Sequence, residues 1–124
     1  MVEMAMMHCA DRLTHNWRRF MFTGKEDHSI TLAEAKKLTK KYRVKAGPGA
    51  SLGCFFSKKA LQEILDQDDC VGIRHYYGES KDGNPVLVLV GVTADGGDMT
   101  AGVLVELGFP CPPKCMAGSP LAND

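Results

Sequence analysis

The chain has 124 residues, 44% hydrophobic and 24% charged, with fifteen Lys and Arg balanced by fifteen Asp and Glu. That length suits one domain able to bury a core without staples, and the composition is that of an ordinary globule. No apolar run approaches the ~20 residues that span a bilayer, and a net charge of zero argues against a nucleic-acid binder.

Five cysteines cannot pair completely within one chain. Glu3, Asp11 and Arg12 surround a short apolar patch, which is not a secretory pattern. A cytoplasmic protein with mostly reduced thiols is the economical expectation. The zero net charge hides an asymmetry of +7 over residues 1–60 and −7 over residues 61–124. Such a split suits basic and acidic elements packed together, or chains that associate head to tail.

Residues 4–22 carry Met6, Ala10, Leu13, Trp17, Phe20 and Met21 at steps of three and four, which predicts an amphipathic helix. Its Met-, Trp- and Phe-rich stripe suits the core or a contact with a second subunit. His8, Asp11 and His15 share one side of that helix at spacings a metal could use, though a solvated polar face looks the same. Residues 23–29 read as a linker. A second helix starts at Thr31, where Glu34 completes a capping box. Leu32, Ala35, Leu38, Thr39 and Tyr42 fall within one arc of it. Six basic residues between Lys36 and Lys45 would attract phosphates, but no aromatic or amide side chain interleaves to read bases, so a solvated face is the preferred reading.

The run Gly47-Pro48-Gly49-Ala50-Ser51-Leu52-Gly53 has no preceding strand and no following Lys-Ser/Thr pair, so it fails as a phosphate-binding loop. No cofactor motif is present. Ser57 caps a predicted helix to about Gln67, with Ala60, Leu61, Ile64 and Leu65 at core spacing. Asp66, Asp68 and Asp69 then read as a hydrated turn rather than a cation loop.

Residues 71–93 organise the rest. Residues 85–93 are an unbroken apolar run, expected of a strand covered on both faces. Val71, Ile73 and Tyr77 alternate with Gly72, Arg74 and Tyr76 in the period of a partner strand. Asp82-Gly83-Asn84 supplies the reversal between them. Asp95-Gly96-Gly97-Asp98 is another turn, and residues 103–107 favour a third strand, since a two-stranded hairpin alone is marginal. The expected fold class is α+β: a small antiparallel sheet centred on the 71–93 hairpin, with two or three helices on one face. The chain divides into an N-terminal helix and linker (1–28), a core (29–115) and a tail (116–124) of one domain.

Phe109-Pro110-Cys111-Pro112-Pro113-Lys114-Cys115 is the least ordinary segment. Cys111 and Cys115 could form a disulfide or give two ligands to Zn²⁺. A complete metal site would need Cys9, Cys54, Cys70 or His75 from across the fold or from another chain. Two intervening prolines predict a stiff, extended spacer, so packing of the tail ranks first, metal binding second and redox cycling third.

The Lys-rich helix, FFSKKALQEIL, CVGIRHYYG, DGNPVLVLVGV and CPPKC together resemble a family of small bacterial proteins without an assigned function. The likeness spans residues 29–115, most clearly in Tyr76-Tyr77-Gly78, residues 87–91 and the CPP-x-C ending. It implies an intact domain and transfers no site residue, ligand or activity.

Three functional readings follow. The first is a non-enzymatic binding or interaction protein, a homo-oligomer joined through the Met/Trp/Phe helix face or a free strand edge. The second is a thiol or metal protein using Cys111 and Cys115. The third is a small enzyme with a site near His75, Tyr76 and Tyr77, where His75 could serve as acid or base but has no orienting partner. None of the three specifies a small-molecule ligand.

Overall fold

A computed structural model describes residues 21–123. The predicted helix over residues 4–22, with His8, Asp11 and His15, lies outside them except for Met21 and Phe22.

The described elements run α1 (Leu32–Ala46), β1 (Gly53–Phe55), α2 (Lys58–Leu65), β2 (Cys70–Glu79), β3 (Pro85–Thr93), β4 (Leu104–Val105) and β5 (Phe109–Cys111). They form an α+β fold with two antiparallel sheets, one in the order β2-β3-β4 and one pairing β1 with β5.

The hairpin is the centre of the larger sheet. β2 and β3 pair from Glu79 opposite Pro85 to Cys70 opposite Thr93, with a bulge between Cys70 and Gly72. Ser80 N donates to Asn84 O at 2.9 Å and Gly83 N to Ser80 O at 3.0 Å. Gly83 closes this reversal at φ 81°, a conformation that a Cβ would penalise. Having neighbours on both sides, β3 holds most of the core: Leu89, Val90 and Val92 are buried, together with Ile64 of α2. That is why its sequence lacks the polar alternation of a half-exposed strand.

Ser57 caps α2, its Oγ accepting from Ala60 N at 3.1 Å. Four-residue spacing from Ala60 places Ile64 against the hairpin, and α2 packs on both β2 and β3. At its end Gln67 reaches across the sheet. Its Nε2 donates to Ile64 O at 2.9 Å and its Oε1 accepts from Val103 N at 2.8 Å, joining helix, sheet and the approach to β4.

The capping box of α1 forms as expected: Glu34 N donates to Thr31 Oγ1 at 3.1 Å and Thr31 N to Glu34 Oε2 at 3.0 Å. No residue of α1 is buried, and Leu32, Leu38 and Tyr42 are all more than half exposed. Capping and helix-forming residues therefore specify α1 locally, without a sheet beneath it.

β1 and β5 are three residues each, too short for a periodic signal. Phe55 lies directly opposite Phe109, their rings stacked with centroids 5.9 Å apart. Pro110 costs this pair little because a two-stranded ribbon has edges on both sides. The third strand of the hairpin sheet is also short: of residues 103–107, only Leu104 and Val105 pair.

Candidate functional site

A cleft of about 670 Å³ opens where the hairpin tip faces the small sheet. α1 contributes Tyr42, the segment into β1 contributes Ser51 to Cys54, β2 contributes Tyr77, and β3 contributes Pro85 to Leu87. The chain beyond β4 adds Glu106 and Gly108, β5 adds Pro110, and the turn after it adds Pro112 and Pro113. The small sheet is held here by register, with Cys54 opposite Pro110 and Gly53 opposite Cys111.

The polar side chains of the cleft are Ser51, Ser80 and Asn84, the hydroxyls of Tyr42 and Tyr77, the Cys54 thiol and the Glu106 carboxylate. Tyr77 stands at its rim, 92% exposed, while Glu106 and Cys54 are half-buried. Burial pushes the Cys54 thiol up, and the negative charge of Glu106 adds to that rise. Cys54 is therefore kept as a neutral thiol rather than a thiolate, which suits a wall and not a nucleophile. The described residues that line the cleft include no histidine, lysine or arginine.

A second polar cluster sits beside β2. Arg74 Nη1 pairs with Asp98 Oδ1 at 2.5 Å and also donates to Gly96 O at 3.1 Å. The Tyr76 hydroxyl donates to the other oxygen of Asp98. Asp98 bridges to Val92 just after the 93–97 turn, so the turn delivers the carboxylate to the two β2 side chains. Burial pulls the Arg74 pKa down, but the hydrogen bond and charge of Asp98 outweigh it and the net shift is upward. The hydrogen bond to Asp98 also holds the Tyr76 phenol above its ordinary range. Mutual satisfaction of all three groups makes this a brace for the turn.

Strand alternation separates His75, Tyr76 and Tyr77. Tyr76 joins Arg74 at Asp98, while His75 and Tyr77 point to the other face. Only Tyr77 of the three lines the cleft.

Cys111 and Cys115 are joined as a disulfide with Cα atoms 4.8 Å apart. The extended Pro-Pro spacer expected from the sequence is replaced by a turn. The Cys111–Pro112 and Pro112–Pro113 peptide bonds are cis, and Lys114 N donates to Pro110 O at 2.9 Å. Bonded to each other, the sulfurs leave no thiolate, so only the reduced pair could ligate zinc. The other candidate ligands stand apart: Cys54 lines the cleft, whereas the Cys70 thiol donates to Gly72 O at 3.2 Å beside the core. Cys9 lies outside the described residues. Among the described residues no three His, Cys, Asp or Glu side chains converge as a metal site.

Glu106 carries no motif in the sequence, and Tyr42 and Asp98 read there only as part of a helix arc and of a turn. A signal existed for Glu106, the only carboxylate in residues 99–123. For Asp98 the signal was its place just after a turn that returns the chain beside β3. No family model, curated protein or solved structure matches the chain. Among the described residues no helix is long and apolar enough to cross a membrane.

Proposed function

We propose that this is a non-enzymatic binding protein that self-associates through the outer edge of β2. The observation behind this reading is a ten-residue strand that, among the described residues, pairs only with β3. Protein edges are commonly blunted by lysine, proline or short length. β2 has neither residue and is the longest of the described strands.

The geometry of self-pairing narrows the register. A two-fold axis perpendicular to the sheet keeps each face on its own side, so facing residue numbers must sum to an even number. Centring on Arg74 would set two guanidinium groups against each other, which is repulsive. Centring on His75 sets Ile73 of one copy opposite Tyr77 of the other, an aromatic–β-branched pair that strengthens a sheet. That register is the proposed one. It also explains an outward Tyr77 that is almost wholly solvent-exposed in the single chain.

A binding role is favoured over catalysis by the composition of the cleft. Its thiol is held protonated, its single carboxylate faces no histidine, and the His75 imidazole lies elsewhere. Light scattering at micromolar concentration tests the association. A dimer is expected, and His75→Lys should return it to the 13.5 kDa monomer by placing two ammonium groups at the two-fold. Tyr77→Lys should weaken it with unchanged circular dichroism. A monomeric parent protein, or a dimer indifferent to both substitutions, would refute the reading.

A further inference from the structure

The walls of the cleft carry a carboxylate and two aromatic rings, and their remaining polar side chains, Ser51, Ser80, Asn84 and the Cys54 thiol, are neutral. Pro85, Pro110, Pro112 and Pro113 have no backbone N–H, so four lining residues can offer only carbonyl oxygen from their main chain. Tyr42 and Tyr77 add two phenol rings, each with a negative π face. Glu106 adds a carboxylate, and no described cationic side chain lines the cleft to neutralise it.

From these walls we propose that the cleft binds an organic cation, the alkylammonium or quaternary ammonium head of a small molecule, between Glu106 and the rings of Tyr42 and Tyr77. An anion would meet a carboxylate and, among the described lining residues, only neutral donors and no cationic side chain. A neutral apolar ligand would leave Glu106 half-desolvated without a partner, which is costly. A cation gains from both features, because ammonium groups are attracted to aromatic faces and to carboxylate together. The volume, about 670 Å³, falls inside the range of about 300–1,000 Å³ that small-molecule sites occupy. The field of Glu106 already extends into this space, since its charge contributes to the upward shift at Cys54. The cleft does not require the β2 pairing, but Tyr77 belongs to both, so the variants that test the cleft are placed at Glu106 and Tyr42, away from the β2 edge.

Calorimetric titration of the full chain tests it, with choline and n-butylammonium as cations and 3,3-dimethyl-1-butanol as the neutral isostere of choline. At least one cation is expected to bind about tenfold or more tightly than the isostere. Glu106→Gln should erase that preference, and Tyr42→Leu, at a more than half-exposed site of α1 outside the β2 edge, should reduce it several-fold. A short peptide with an acetyl-blocked N-terminus and a free lysine side chain, run alongside, identifies the source of the ammonium group. Tighter binding of the peptide assigns the cleft to a protein side chain, and tighter binding of the free amines assigns it to a metabolite. Equal affinity for cation and isostere, a preference that survives Glu106→Gln in protein with unchanged thermal unfolding, or no binding by any probe would each overturn the proposal.

Discussion

Gly91 leaves open the space that Gln67 occupies: a Cβ on Gly91 would stand 2.8 Å from Gln67 Nε2. The same carbon would also press on the sulfurs of Cys70 and Met99, each at 3.1 Å. Gly102 leaves room for Gln67 from the other side, its own added carbon falling still closer to the amide oxygen. A glycine in the most apolar strand of the protein is thus a packing feature. It lets one amide side chain tie α2 to the loop before β4.

Gln67→Ala should destabilise the protein by about 1–3 kcal/mol, because Val103 N–H loses its acceptor in a half-buried place. Gly91→Ala should cost a similar amount by displacing the amide. The two together should cost less than their sum, since a shortened residue 67 no longer meets the added methyl. Urea unfolding of the three variants measures this coupling. Strict additivity would mean that the glycine and the glutamine act separately.

The Asp98 cluster predicts a pH effect in the alkaline range. Tyr76 carries a raised pKa, chiefly because its hydroxyl donates to Asp98. A group whose pKa is raised on folding adds stability below its unfolded value, about 10 for tyrosine. That contribution is lost as pH climbs through the folded value. Ultraviolet titration of tyrosinate should show a phenol ionising above the ordinary range, and Asp98→Asn should bring it down. No change on that substitution would remove Asp98 as the cause.

Much of the fold was readable where one local rule governed a whole element. The capping box fixed the start of α1, Ser57 fixed α2, and the 85–93 run could only be a central strand. The small β1–β5 sheet was not readable. Three residues show no period, and Pro110 argues against a strand unless its neighbours are known. The functional surface was less legible still. Tyr42, Tyr77 and Glu106 come from separate elements, and no spacing in the chain connects them. Adjacent His75, Tyr76 and Tyr77 looked like one site, yet strand geometry sends Tyr76 away from the other two.

The paired Cys111 and Cys115 predict that reduction will raise the thiol titre of the denatured protein by two. Replacing both by serine should abolish that rise. It should also cost about 2 kcal/mol, the chain-entropy value for so short a loop. An equivalent of zinc in protein purified without chelator, with no rise on reduction, would instead assign the two sulfurs to a metal.

Cys54 supplies a direct probe of Glu106. Burial comes first among the causes that raise the thiol pKa, and the carboxylate charge comes second. Only the thiolate is alkylated, so at mildly alkaline pH the rate at Cys54 follows its ionised fraction. Glu106→Gln removes the charge and leaves the burial, which should lower the pKa part of the way and speed alkylation. The contrast should shrink in high salt if water reaches the space between the two groups, because exposed charges are screened and enclosed ones much less. Cys70 provides the control, being held beside Gly91 and away from the cleft. Iodoacetamide labelling followed by peptide mass spectrometry reads both sites in one sample. An unchanged rate at Cys54, or an equal acceleration at Cys70, would show that Glu106 does not set the potential inside the cleft.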